Sequence, residues 1–358
     1  MLSALAFDCP VIASTPKRVP EVPPLALLLS ELAASNYSFI TPSSLTHERV
    51  VTHRKNNQNN LNLATTSIQS TNTLRDIFGW SLPFDAAAVR QDLLALMGEL
   101  GILRSHGDLF LSTVRVSSID DDLFVHSAYP STQDNAVLFG PDTYRFARFV
   151  QQGLALKPYS QCWMNSDSGH KALRVLDIGC GSGAGGVIAA RHLKKLGVPC
   201  SVVMNDLNQL ALQYTAVNSA FAGIPVALAK GDALSAGAGQ FDLIISNPPY
   251  LNDAFAPSYL KGGPRFGRDL SVRIAAQALA RLAPGAQLLL YTGVAMVDGV
   301  DPFLAEILPL LDRTDCDWSY EEIDPDVFGE ELAQPVYAHV DRIAVVGLVA
   351  TRQRVAFG

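Results

Sequence analysis

Val175-Leu176-Asp177-Ile178-Gly179-Cys180-Gly181-Ser182-Gly183 is an apolar run that ends in three glycines at alternate positions. Residues 173–178 read as a buried strand. The glycines read as a turn where the chain bends sharply and a ligand approaches the backbone, which only glycine permits without a Cβ clash. Residues 183–196 then read as a helix whose first N–H groups face that turn. From residue 172 the pattern continues as alternating strand and helix, the mark of a doubly wound parallel sheet. Further strands are predicted at 201–205, 226–229, 241–246, 287–292, near 319–323 and at 342–350. Helices are predicted at 207–222, 270–282 and 302–311.

The strand over 241–246 ends in Asn247-Pro248-Pro249-Tyr250, which begins 64 residues after Gly183. Such a loop suits one chemical task, the holding of a planar nitrogen. The Asn247 side-chain oxygen and the proline-fixed carbonyl of Pro248 accept its two N–H hydrogens, and Tyr250 stacks on its plane. Gly179, Gly181 and Gly183 imply a nucleoside cofactor, for which there are two candidates. Gly181-x-Gly183-x-x-Gly186, with Asp206 twenty residues further on, fits a dinucleotide fingerprint. Three features favour S-adenosylmethionine (SAM). Asp177 would repel a pyrophosphate but suits an ammonium group. The sheet arrives late, after a separate N-terminal region. The Asn-Pro-Pro-Tyr loop has no role in hydride transfer. Asp206, ending the second strand, is expected to accept from the ribose hydroxyls, and Asn247 is expected to touch the cofactor as well as the substrate. Asp232, after the third strand, either accepts from the adenine amino group or is an ordinary turn aspartate.

The chain has 358 residues, a length that favours two domains. The expected division is 1–135, an N-terminal helper or substrate domain, and 136–358, the catalytic domain. Before residue 136 there are 9 Lys and Arg against 13 Asp and Glu; after it, 18 against 21. Neither part has the basic excess of a protein that grips nucleic acid through phosphates, so a nucleic-acid partner is the weaker expectation. The five cysteines are scattered, without a C-x-x-C pair, which suggests neither disulfides nor a metal site. No run of about 18 apolar residues is present, and the apolar start lacks a basic flank, so a cytoplasmic protein is expected.

In the N-terminal part, helices are predicted at 25–35, 73–80 and 85–103, and strands at 108–116 and 122–127. The stretch 47–72, with Asn56-Asn57-Gln58-Asn59-Asn60, reads as an exposed low-complexity loop. Helices followed by a small sheet make a smaller α+β domain of winged-helix-like order. Its low basic charge favours a substrate-gripping role over DNA binding.

These motifs resemble the class I SAM-dependent methyltransferases, an α/β fold with a Rossmann-like sheet. Within them the match is to the protein-(glutamine-N5) methyltransferase family, often called HemK-like, which modifies peptide-release factors. The resemblance covers roughly 136–350. It is carried by residues 175–183, by Asn205-Asp206 with Ala211 and Asn218, by Gly231-Asp232 and by Asn247-Pro248-Pro249-Tyr250. Val137-Leu138-Phe139-Gly140-Pro141-Asp142-Thr143 is similar to the family's pocket-lining Pro-Glu-Thr segment, although Tyr144 stands where that family tends to have an acid. The resemblance implies SAM-dependent N-methylation without a metal, on a nitrogen of a protein or small metabolite. Two alternatives stay open. One is methylation of a nucleic-acid base. The other is a cyclase that closes the SAM aminobutyl chain into an azetidine ring and releases methylthioadenosine.

Overall fold

A computed structural model describes residues 17–18, 23–60, 71–131, 133–160, 172–232, 239–252 and 262–354. The N-terminal part contains β1 (Lys17–Arg18), α1 (Ala26–Ala34), α2 (Ser44–Asn60), α3 (Thr71–Phe78) and α4 (Gln91–Glu99). Two hairpins follow, β2 (Leu103–His106) with β3 (Leu109–Ser112), and β4 (Val114–Ile119) with β5 (Asp122–Ser127). The α5 helix (Pro141–Ala155) leads into β6 (Leu173–Ile178), α6 (Ala184–Lys195), β7 (Cys200–Asp206), α7 (Gln209–Phe221), β8 (Val226–Lys230) and β9 (Phe241–Ser246). Then come α8 (Asp269–Ala280), β10 (Leu282–Met296), α9 (Pro302–Leu311), β11 (Cys316–Asp324) and β12 (Arg342–Arg352).

The large sheet has the order β1-β8-β7-β6-β9-β10-β12-β11. Strands β6 to β10 pair in parallel, and β12 runs antiparallel between β10 and β11. This is the α/β doubly wound sheet expected from the alternation. Its faces are covered by different helices. Phe146, Phe149 and Val187 of α5 and α6 pack on one side; Ile274, Phe303 and Ile307 of α8 and α9 pack on the other. Chain order reverses between β6 and β9, so the crevice at their C-terminal ends is where such a sheet binds ligands.

Two expectations are corrected. The polar stretch read as a loop over 47–72 is helical up to Asn60, and residues 71–72 begin α3; residues 61–70 lie outside the described set. Propensity is overridden by tertiary contacts. His47 packs between Trp80 and Tyr129, while Arg54 lies 4.7 Å from the Trp80 ring centroid and 2.7 Å from Asp76. The single strand read over 108–116 is split at Thr113, whose N–H turns to Ile102 while the Ser112 hydroxyl bonds both backbone groups of Val114.

Hydrophobic packing crosses residue 135. Leu28, Phe78 and Val125 share a cluster with Ala211, Tyr214 and Val217 of α7, and Phe124 joins the cluster that holds α5 and α6. One buried side chain stitches the parts together. Asn218 accepts from the Val125 N–H at 2.8 Å and donates to the carbonyls of Val125 at 3.0 Å and of Ser182 at 2.8 Å. A bidentate Arg191–Asp122 ion pair supports the same contact.

Candidate active site

Gly179, Gly181 and Gly183 all have positive φ, at 68°, 55° and 81°. No atom lies within 4 Å of where a Cβ would stand at Gly179 or Gly181, so the turn leaves open space on its ligand side. Gly183 meets Thr215 instead, within about 3.0 Å of its hypothetical Cβ. The turn is held from α7 by the Thr215 hydroxyl on the Gly181 carbonyl at 3.0 Å. It is held from β7 by Asp206, which accepts from the N–H of Gly181 at 2.9 Å and of Asn208 at 2.8 Å. Burial raises the Asp206 carboxyl, against those backbone donors. Asn205 ties the neighbouring strand end by donating to the carbonyls of Ala229 and Gly231, each at 2.9 Å.

A cavity of about 370 Å³ opens over this turn, the size of a small-molecule site. It brings together Gly179, Gly181, Asp206, Asp232, Asn247, Pro248 and Tyr250 of the expected set. Gly183 and Asp177 are not in its wall. The contact between Asp177 and a cofactor ammonium therefore needs correction. Side chains alternate along β6, so Asp177 points with Val175 toward α6. There it is 1% exposed and accepts from the Gly186 N–H at 2.8 Å, at a helix N-terminus that favours negative charge. Asp232 sits at the cavity mouth, paired with Arg273 at 2.6 Å; both are half exposed, so the pair adds little stability.

Burial pushes the Asp177 carboxyl up to about 7, with the Gly186 N–H pulling it down and the Asp206 charge pushing it further up. A carboxyl raised in the fold keeps its proton longer than in the unfolded chain. Its cost is absent below the ordinary carboxylate range and grows as pH rises toward 7. Asp177→Asn, which can still accept from Gly186, should therefore raise Tm by several degrees at pH 8 and by nothing at pH 4. Thermal melts of the cofactor-free chain across that range check this; an equal Tm for both proteins at pH 8 would show that no such cost exists.

Prolines 248 and 249 end β9, because neither can donate to a ladder. Tyr250 folds back on β10. A Cβ at Gly293 would stand 2.2 Å from the Tyr250 ring, so glycine is required for this placement. The ring meets Phe328 edge-on at 5.9 Å. Its hydroxyl is buried without a hydrogen-bond partner of good geometry, while burial and then the nearby Asp142 charge raise its pKa.

Sequence reasoning placed Asp142 only within a segment similar to a pocket-lining one, without a role, and left Tyr291 unassigned. Asp142, near the start of α5, lines the cavity. It accepts from the Tyr291 hydroxyl at 2.5 Å and lies 3.5 Å from Nδ2 of Asn247. The Pro-Asp-Thr segment was a usable signal for Asp142. Tyr291 carried none, being one aromatic in an apolar strand. Further along α5, the Tyr144 hydroxyl accepts from the Thr41 N–H at 2.9 Å, and Arg145 pairs with Asp324 at 2.8 Å. Among the described residues, no group of three His, Cys, Asp or Glu is arranged to hold a metal, and no helix is long and apolar enough to cross a membrane.

Residues 162–292 match a family model described as the methyltransferase small domain. The release factor glutamine methyltransferase of Deinococcus radiodurans is 34% identical over 168 residues, 44% of this chain and 55% of that protein. The ribosomal RNA small subunit methyltransferase C of Serratia proteamaculans is 36% identical over 81 residues, 23% of this chain and 22% of that protein. A solved methyltransferase from Pyrococcus furiosus shares 18% identity and a TM-score of 0.38, over 62% of this chain and 91% of that one. The chain thus spans about half the length of the release-factor enzyme it matches.

Proposed function

We propose, from the premise that this chain carries a class I SAM-dependent methyltransferase domain similar to the release factor glutamine methyltransferases, that it methylates an amide or amino nitrogen of a protein or small metabolite. The observation that carries this reading is the convergence, in one cavity, of the open glycine turn with Asp206 and of the Asn247-Pro248-Pro249-Tyr250 loop.

The residues present fit SAM. Gly179 and Gly181 leave a cradle that a Cβ would fill, and Asp206, in the cavity wall, would accept from the ribose hydroxyls. Gly183 serves by starting α6 tightly against Thr215. Asp232 would lie toward the adenine, and Asp177 would act from behind the turn. SAM, when bound, supplies an electrophilic methyl group. An amide nitrogen is a poor nucleophile because its lone pair is delocalised. Asn247 Oδ1 and the Pro248 carbonyl would accept both N–H hydrogens, leave the nitrogen's remaining electrons aimed at the methyl, and so act by positioning. Tyr250, braced by Gly293 and Phe328, would flank the substrate plane. The acidic balance of the chain supports a protein or small-molecule acceptor over a nucleic acid. The N-terminal part, packed on α7, is the proposed grip on the substrate.

The test is product analysis with the full chain, SAM, and three separate acceptors: an unmethylated peptide-release factor, small-subunit ribosomal RNA, and a protein-free metabolite extract. S-adenosylhomocysteine formed only with the release factor or the metabolites is the expected result. Its formation with RNA alone would move the reading to a base methyltransferase. Methylthioadenosine formed from SAM without an acceptor would replace methyl transfer by cyclisation.

A further inference from the structure

The Asn247 amide can occupy its site in two ways, because its oxygen and nitrogen have nearly the same shape. Only one serves an N–H substrate. Oδ1 toward the cavity accepts the hydrogen; Nδ2 toward the cavity opposes it with another. Asp142 faces this amide from α5, with Oδ2 at 3.5 Å from Nδ2, while its Oδ1 takes the Tyr291 hydroxyl from β10 at 2.5 Å. We propose that Asp142 is a positioning residue that keeps Nδ2 of Asn247 turned to its carboxylate and Oδ1 free for the substrate.

This rests on the role given to Asn247 above. At 3.5 Å the contact is long, so its direction matters more than its strength. With the amide turned round, Asn247 Oδ1 would face a carboxylate oxygen with no proton between them. In this part-buried corner such repulsion is screened less than in water. Tyr291 adds selectivity. By occupying Oδ1 of Asp142, it leaves Oδ2 as the acceptor for Asn247.

Ionisation supports the same assignment. Burial lifts the Asp142 carboxyl above its usual range, and Tyr291, Tyr250, Asn247 and the Arg145 charge pull it down in that order. These groups face it from β10, from the loop after β9 and from α5 itself. Only the ionised form enforces the useful amide orientation, since a protonated Asp142 can donate to Asn247 Oδ1 and turn the amide round. Turnover should therefore fall as pH drops, with an acid limb above the ordinary carboxylate range.

The full-length Asp142→Asn variant tests the proposal. It is nearly isosteric and can still accept from Tyr291. With the acceptor that turns over in the product analysis, kcat should fall about 10- to 100-fold, with KM and SAM affinity within two-fold and the acid limb lost. In an Asn247→Ala background the same substitution should cost nothing further, because Asp142 acts through Asn247. A readout without SAM or acceptor comes from the side-chain NH2 signals of Asn247 in labelled protein, assigned by their loss in Asn247→Ala. They should shift in Asp142→Asn. Unchanged kcat with unshifted NH2 signals would overturn the proposal, as would a full additional loss in the Asn247→Ala background. Undiminished turnover in Asn247→Ala alone would instead remove the role given to Asn247, and with it the proposal, while leaving methyl transfer itself standing.

Discussion

Asn247→Ala should lower the formation of S-adenosylhomocysteine by about 10²–10³, the loss expected when a preorganised polar contact to the reacting group is removed. The affinity for SAM should stay within about two-fold. The reason for this split lies in what holds each side of the cavity. The cofactor turn is fixed by Asp206, Thr215 and Asn218, none of which bonds Asn247. The Asn247 side chain meets Asp142 instead, in the acceptor corner. The backbone of the loop is set by two prolines, so the alanine variant keeps its course and loses only the side-chain acceptor. Steady-state turnover and calorimetry on the same preparations check this. Equal turnover would take Asn247 out of the reaction, and a parallel loss of SAM affinity would make it a cofactor residue.

Asp206→Ala should weaken SAM binding by 100-fold or more in a chain that still folds. Two contributions act together. The ribose hydroxyls lose their charged acceptor, and the N–H groups of Gly181 and Asn208 lose the carboxylate that holds the turn beside α7. Gly181→Val should match that loss by another route. At φ of 55° a β-branched residue carries about 1–2 kcal/mol of left-handed strain. Its side chain would point into the space left open over the turn. Calorimetry reads the affinity and thermal melts read the fold. Near-wild-type affinity in both variants would remove the cofactor assignment.

The parts legible in the sequence were local. Residues 175–183 and 241–250 each carry strand, turn and chemistry in one short stretch, and β6, β9, α6 and α9 lie within a residue or two of their predicted bounds. The acceptor corner was not local. Asp142 and Tyr291 meet across 149 residues of chain, and nothing beside Tyr291 in an apolar strand announces a partner. The α2 helix was misread because its support comes from Trp80, Tyr129 and Asp76, far along the chain. Asp177 was misplaced although a signal existed. The two-residue period of a strand puts it on the face of Val175, toward α6, once the sheet is known to be covered on both sides.

Asn218 has a thermodynamic meaning beyond its hydrogen bonds. One amide touches the hairpin strand β5 and the carbonyl of Ser182, so a shift of one against the other strains or breaks these bonds. A ligand that draws β5 into a position that strains these bonds changes the free energy of the glycine turn at 179–183. Reciprocity then requires donor binding to change that ligand's affinity by the same factor. The two binding events would then form one coupled equilibrium, in which each affinity is defined only at a stated occupancy of the other site.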